Sequence, residues 1–384
     1  MANAARDDAS GLSEQQRMIR ESARKVAREV IAPTAAARDA SRAWPTAELK
    51  ALADAGFMGM LVPESYGGAG ADFVSYCLAL EEISAADAGV GTIFHVHNLG
   101  GGLSVARNAT EAQKQRWLPA MARGEKIGAF LITEPHAGSD TGALKTRADA
   151  NGDGFVVNGV KQFISNGAQA GLAIIVARTD ATAGNHGFTT LVVEPPAQGY
   201  VVARIEQKLG QHTAHTAQIA LDGLRLPREN VLGDVGGGYR IAMSGLSDGR
   251  VGIAAQAVGV ARAALEAAQN YARERTIGGA PIMEKQAVAF RLAEMAAQVD
   301  VARQYYLYAA RLIEAGENCA KEAAIAKLYA SEMAEKVCSD ALQIHGGYGY
   351  VRDFPVERYC RDVRVCKIYE GASDIQRLII SRNL

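Results

Sequence analysis

The spacing of apolar residues changes twice along this chain, and that limits what it can fold into more than any single motif does. In 13–31, Met18, Ile19, Ala23, Val26, Ala27, Val30 and Ile31 recur at helical intervals. Between about Gly128 and Val235 the period shortens to two, and after Gly238 the helical period returns. No single sheet or single bundle satisfies both periods, so β structure must stand between two helical parts. Ser13 and Gln16 have capping-box spacing, and Pro33 is expected to end the first helix. Further helical patterns cover 46–55, 73–84 and 111–122 around a turn-rich 63–70. In the middle, 155–157 and 160–164 flank Asn158-Gly159, which predicts a hairpin with a type I′ turn. Runs at 173–178, 188–194 and 217–226 supply more strands, and 250–272, 283–315 and 320–343 read as long helices broken at Gly278-Gly279 and Gly316. The expected fold is mainly α with a central β domain: a helical domain at 1–125, a barrel-like β domain at 126–236 and an antiparallel helical bundle at 237–384.

Composition narrows the function. The 384 residues carry 41 basic and 42 acidic side chains with no long block of either sign, which argues against nucleic acid or an anionic membrane as the main partner. The start, Met1 to Asp8, is polar and no apolar run suggests a membrane span. Five cysteines, an odd number without close CxxC spacing, disfavour a disulfide framework or a zinc site; no metal is expected, and a reducing cytoplasm fits.

Near the C-terminus, 367–377 reads Lys-Ile-Tyr-Glu-Gly-Ala-Ser-Asp-Ile-Gln-Arg. Ser373 and Gln376 have capping-box spacing, which places Glu370 at the mouth of a helix. Taken alone, Glu370 could simply favour a positive helix N-terminus. Three other stretches bear on it: 130–140, Phe-Leu-Ile-Thr-Glu-Pro-His-Ala-Gly-Ser-Asp; 161–167, Lys-Gln-Phe-Ile-Ser-Asn-Gly; and 343–349, Gln-Ile-His-Gly-Gly-Tyr-Gly.

With these four motifs in this order, nearly the whole chain resembles an acyl-CoA dehydrogenase. The resemblance implies FAD as cofactor and removal of two hydrogens from the carbons α and β to a thioester, the α-proton going to Glu370 and the β-hydrogen leaving as hydride to flavin N5. It implies that a flavin hydroxyl and the Glu370 N–H polarise the thioester carbonyl. Some relatives carry the base at the position of Gly249, which has no side chain here. Burial beside flavin and acyl chain is expected to raise the Glu370 pKa towards working pH.

By the same resemblance, Phe130, Leu131, Thr133 and Ser139 border the isoalloxazine, with Phe163, Ile164 and Ser165 against its ring. Arg275 and Gln286 meet the pyrophosphate and adenosine from a neighbouring subunit, Gln343, Gly346 and Gly347 form a backbone cradle, and Ser373 and Asp374 complete the cofactor set. Phe163 and Ser165 depart conservatively from the usual Trp and Thr, with flavin binding expected to be kept, whereas Gly278, Ala372 and Asp374 depart from the usual Phe, Thr and longer acid or amide, which implies a weaker grip on FAD. Substrate contacts are expected from Ser139, Ser247, Arg250, Tyr369, Gly371 and Arg382, with Phe94 shortening the pocket and His95 available to a polar acyl tail. A short, branched or cyclic acyl group, a homotetramer and an electron-transferring flavoprotein as acceptor follow as expectations. The alternatives are an acyl-CoA oxidase, against which the end at Leu384 speaks, and a non-catalytic CoA- or flavin-binding protein, against which Glu370 with Gly371 speaks.

Overall fold

The computed structural model describes residues 11–384; the polar start at 1–8 lies outside them. Its first part is helical: α1 (Glu14–Val26), α2 (Ala35–Ser41), α3 (Thr46–Asp54), α4 (Phe73–Ala86), α5 (Ala88–His95), α6 (Ser104–Asn108) and α7 (Glu111–Ala122). The expected capping box starts α1, Gln16 N donating to Ser13 Oγ at 3.1 Å and Ser13 N to Gln16 Oε1 at 3.0 Å. Pro33 does not end the helical run. The chain continues through a π segment (Ala27–Ile31) and a 3-10 turn (Ala32–Thr34) into α2. Pro33 lies in the first turn of that 3-10 segment, where a missing N–H costs little.

The middle is an eight-stranded sheet of β1 (Ile127–Leu131), β2 (Arg147–Asn151), β3 (Gly154–Ser165), β4 (Ala170–Arg178), β5 (Phe188–Val193), β6 (Tyr200–Ile205), β7 (Thr216–Pro227) and β8 (Val231–Leu232). Its order is β6-β7-β3-β2-β4-β5-β8, with β1 parallel to β4. Inward residues of β1, β2, β3, β4, β5 and β7 share one core, so the sheet curls in a barrel-like way while its hydrogen-bonded path stays open from β6 to β8. The hairpin expected at Asn158-Gly159 is absent; β3 runs straight through it. The reversal lies one motif earlier, where Asn151 pairs with Gly154 and Gly152 takes φ +62°. Gly159 answers a close approach instead, since a Cβ there would collide with Thr146.

The last part holds α8 (Gly238–Ser244), α9 (Leu246–Glu274), a two-stranded ribbon of β9 (Thr276–Ile277) and β10 (Ala280–Pro281), α10 (Gln286–Glu314), α11 (Ala320–His345), α12 (Gly347–Tyr350), α13 (Val356–Val363) and α14 (Ser373–Ser381). Helix α9 packs along α4, α10 and α11. The stretch Gly238–Glu274 is long and apolar enough to cross a membrane by length and composition, but 83% of its most apolar window is buried as the bundle's core. Within that core α4 carries Glu81 and Glu82, 2% and 3% exposed. Glu81 accepts from Arg262 Nε at 3.1 Å, Arg303 Nε at 3.0 Å and Tyr306 OH at 2.6 Å, while Glu82 takes Arg24 and Arg262. Burial raises the Glu81 carboxyl pKa, but Arg303 and Arg262 outweigh it and hold the group below its ordinary range. A removed partner would strand a buried charge, which is how charged residues come to fix helix register in an apolar interior.

His97 locks the helical part to the sheet. Its Nε2 donates to Met58 O at 2.9 Å and Met121 O at 3.2 Å, and its Nδ1 accepts from Gly128 N at 3.0 Å. Burial, opposed by the hydrogen bonds to Met58 and Met121, lowers its pKa from 6.5 to about 4. The unfolded ring therefore binds a proton that the folded ring refuses, and His97's contribution is complete above 6.5 and lost as pH falls towards 4. NMR of the imidazole nitrogens should show no titration of His97 above about pH 5; a midpoint near 6.5 would disprove this buried, hydrogen-bonded placement of the ring.

Candidate active site

Glu370 stands in left-handed backbone, φ +52°, followed by Gly371 at +89°. For glutamate this conformation costs about 1–2 kcal/mol, and such strain concentrates at functional sites. Hydrogen bonds offset it. Lys327 Nζ, from α11, donates to Gly371 O at 2.6 Å, and Gln376 Nε2 donates to Gly371 O at 2.8 Å and Glu370 O at 3.2 Å. The expected capping box is therefore not formed. Ala372 is the N-cap of α14 without a side-chain cap, Gln376 is spent on the turn, and Ser373 Oγ is buried with no partner. Glu370's own N–H has no acceptor among the described residues.

The Glu370 carboxylate, 31% exposed, occupies the space over Gly249. A Cβ on Gly249 would lie 2.6 Å from Glu370 Oε2. His95 Nε2 stands 3.8 Å from Oε1. Burial pushes the carboxyl pKa up, but His95, Arg250 and Lys327 together bring it below its ordinary value. In the polypeptide itself the His95 hydrogen-bond donor and the Arg250 and Lys327 cations outweigh desolvation, whereas the expected rise belongs to the site filled by flavin and acyl chain. Arg250 is 7% exposed and its Nε is buried without a partner.

Behind the carboxylate, Tyr369 OH donates to Gln256 Oε1 at 2.5 Å and accepts from Gln211 Nε2 at 3.4 Å. Thr92 Oγ1 donates to Gln211 Oε1 at 2.7 Å and accepts from Gln256 Nε2 at 2.9 Å, closing a ring across all three parts of the chain. Sequence reasoning missed Lys327, Gln256, Gln211 and Thr92, and gave Gln376 a capping role in place of its part in the turn. One signal was available: Lys327 interrupts the apolar stripe Ala323, Ala330, Ala334 of α11, and a lysine facing a core needs an acceptor there.

On the sheet side, Phe130 and Leu131 end β1, Leu131 fully buried and Phe130 half-buried. Gln162 N donates to Thr133 O at 2.8 Å, which sets Thr133 beside Phe163, Ile164 and Ser165. Phe163 has φ +59° and is 64% exposed, an unusual conformation for a bulky side chain turned outward. Asn166 Nδ2 donates to Ile93 O at 3.2 Å and Gly128 O at 3.0 Å, tying the end of β3 to α5, whose His95 faces Glu370. Ser139 is exposed beyond this strand end.

A separate cavity of about 600 Å³ is lined by Tyr271, Arg275, His345, Gly346, Gly347 and Tyr348, among others. Arg275 is exposed, Gln286 opens α10 and Gln343 lies in the last turn of α11. Neither Glu370 nor Phe163 lines this cavity. Asp374, with 94% of its side chain exposed, pairs with Arg377 at 3.1 Å; Arg382 is exposed at the end of α14 and Ser247 is half-buried in the first turn of α9. No described hydrogen bond or ion pair joins these three to Glu370. Phe94 does not face a pocket. It is 0% exposed and stacks on Tyr76 at 5.4 Å in the helical core. His95 Nδ1 is bonded to Tyr76 OH, and its Nε2 is turned to the Glu370 carboxylate at 3.8 Å.

Gly249→Ala is expected to leave α9 intact, since alanine is favoured over glycine by about 1 kcal/mol in a helix interior. Its methyl would displace the Glu370 carboxylate, and a shift of about 1 Å can cost on the order of 100-fold in rate. Thermal unfolding and turnover measured side by side would test this, and unchanged turnover would refute it.

Residues 13–125, 129–224 and 236–384 match, in turn, the N-terminal, middle and C-terminal domains of acyl-CoA dehydrogenase. The chain is 45% identical over 373 residues to an acyl-CoA dehydrogenase of Bacillus subtilis (strain 168), covering 97% of this chain and 98% of that protein. It is 42% identical over 376 residues to the mitochondrial short-chain specific acyl-CoA dehydrogenase of Mus musculus, covering 97% and 90%. Butyryl-CoA dehydrogenase from Megasphaera elsdenii superposes with a TM-score of 0.94 at 37% identity, covering 97% and 98%. The chain belongs to the acyl-CoA dehydrogenase family and, as the family does, uses FAD to dehydrogenate acyl-CoA thioesters.

Proposed function

We propose that Glu370 is the base that takes the α-proton of a short-chain acyl-CoA. The observation that carries this is the turn itself: a strained glutamate, held by Lys327 and Gln376, with its carboxylate in the space Gly249 leaves open and its N–H unpaired. That N–H is free to donate to the thioester carbonyl oxygen, where charge builds as the α-proton leaves. An ionised carboxylate suits the task, because a base must be unprotonated before it accepts.

The residues present fit FAD. Thr133, Ser165 and the outward Phe163 offer hydroxyls and an aromatic face at one strand end, and Arg275 with Gly346 and Gly347 lines a cavity with a guanidinium and backbone, a donor set suited to a diphosphate. Bound FAD supplies the hydride acceptor. Since neither Glu370 nor Phe163 lines that cavity, we place the two halves of each cofactor site on different protomers of a homotetramer. Ala372 at the N-cap lacks a hydroxyl, and Gly278 sits in open space, which supports a looser hold on FAD. In the same reading Ser139, Arg250, Ser247, Tyr369, Gly371 and Arg382 meet the acyl-CoA, an electron-transferring flavoprotein takes the electrons, and the enzyme works in the cytoplasm. The division 1–125, 126–236 and 237–384 is supported by the change from helices to strands and back.

A short acyl group is supported by Tyr369, whose hydroxyl is pinned by Gln256 and Gln211, and by the short-chain relatives. Anaerobic bleaching of the flavin by a series of straight-chain, branched and cyclic acyl-CoA thioesters tests it. Fastest reduction at about four carbons is the expected result, and a maximum at long chains would sink the assignment.

A further inference from the structure

His95 does more than fill space beside the base. The geometry points to a relay in which Tyr76 fixes the His95 ring so that its Nε2–H faces Glu370 and holds that carboxylate ionised and oriented for proton abstraction. The inference rests on Glu370 being the base and assigns a positioning residue that acts through it.

The relay begins at Tyr76 on α4, which is fully buried with its hydroxyl 2.8 Å from His95 Nδ1. Burial pushes the phenol pKa well above its ordinary value, so the hydroxyl keeps its proton and needs an acceptor. His95 Nδ1 is the acceptor the structure provides. A ring that accepts at Nδ1 carries its own proton at Nε2, and Nε2 is the nitrogen turned to Glu370 Oε1 at 3.8 Å. That separation exceeds a hydrogen bond, and movement of the carboxylate by less than about 1 Å closes it.

Two glycines on α9 make room for the pair. A Cβ on Gly249 would lie 2.6 Å from Glu370 Oε2, and one on Gly252 would lie 2.5 Å from His95 Cε1 and 2.7 Å from Nδ1. Three residues apart, they sit on one face of the helix, so a single flat stripe receives both carboxylate and imidazole. Phe94 stacks on Tyr76 at 5.4 Å and holds the phenol in register from below. The charged groups facing the relay are Arg250 from α9 and Lys327 from α11 on the Glu370 side and Asp248 near Tyr76, where the buried Cys77 thiol, its pKa pushed up by burial, stays neutral. Arg107 pairs with Asp248. All of these stay in place in the variants below, so a shift between variants reports on His95.

The test is the pH dependence of kcat/KM for substrate reduction of the flavin in the FAD-loaded enzyme, whose acid limb reports ionisation of the base in free enzyme. In His95→Leu the limb should move to higher pH by about one unit. His95→Gln, whose amide nitrogen can stand where Nε2 stands, should recover part of the shift. Tyr76→Phe frees the tautomer and should move the limb the same way by less, and it keeps the experiment decisive if His95→Leu fails to fold. An acid limb unmoved in His95→Leu, or in Tyr76→Phe where that variant is the one that folds, overturns the relay. Glu370→Gln run alongside separates the two ideas: if it reduces flavin normally the base assignment itself fails, whereas if it is dead and the limb is unmoved only the relay fails.

Discussion

Glu370→Gln is expected to bind FAD and acyl-CoA and yet to reduce flavin at least about 1,000-fold more slowly, within the range that loss of a positioned general base produces. The amide keeps the size of the side chain, so the space over Gly249 stays filled. The turn keeps its support as well, because Lys327 and Gln376 hold carbonyl oxygens of Gly371 and Glu370 and not the side chain. The backbone N–H that would polarise the thioester is also unchanged. What is lost is the ability to accept a proton. Stopped-flow reduction under nitrogen reads the rate, and flavin absorbance reads cofactor content. A variant that reduces flavin at the parent rate would remove Glu370 from the mechanism; one that loses FAD would show that the carboxylate is structural.

The second large effect is expected at a residue far less conspicuous in sequence. Lys161 is 0% exposed in the middle of β3, with Nζ donating to Glu134 Oε1 at 2.9 Å and Ile132 O at 3.0 Å. Glu134 also accepts from Lys145 N at 2.7 Å and Thr146 N at 2.9 Å. Burial drives the Lys161 pKa down to about 8, with Glu134 opposing that fall. Lys161→Met keeps the bulk but leaves Glu134 without its cation, and breaking a buried pair from one side costs about 3–5 kcal/mol. The damage should be local to function as well, because Glu134 follows Thr133 and Lys161 precedes Phe163 by two residues. Lower thermal stability together with loss of FAD is the expected pair of results. Lys161→Met, Glu134→Leu, which removes both charges, should recover much of the stability, and a single variant as stable as the parent would refute a stabilising role for the Lys161–Glu134 pair.

Much of the architecture was legible because periodicity records burial. The three long C-terminal helices lie within a few residues of where apolar spacing placed them, and 111–122 coincides with α7. The errors share a cause. Asn158-Gly159, Pro33 and the Ser373–Gln376 spacing are local signals, and each was overridden by a competing arrangement of the chain around it. Thr146 crowds Gly159, the π segment carries the chain past Pro33, and the Glu370 turn takes Gln376 for its carbonyls. A capping preference of about 1 kcal/mol yields readily to two or three hydrogen bonds of similar worth.

For the site, residue types and order already pointed to Glu370, Thr133 and Phe163, because chemistry-bearing motifs stay together in the chain. The protonation of Glu370 was not legible. The sequence suggested a carboxyl raised by burial beside flavin and acyl chain, and the fold opposes burial by gathering His95, Arg250 and Lys327 from α5, α9 and α11. Desolvation can be guessed from apolar neighbours in sequence, but polar and charged groups 43 to 275 residues away meet the carboxylate only in three dimensions. Gly249 shows the same division. By sequence it is a missing side chain; in the structure it is the space that the carboxylate occupies. The sequence alone determined the order of helix and strand, since that depends on local pattern, and the resemblance its motifs carry singled out Glu370 as the candidate base. Tertiary structure decided how that base is held, charged and faced, since those depend on packing between distant segments.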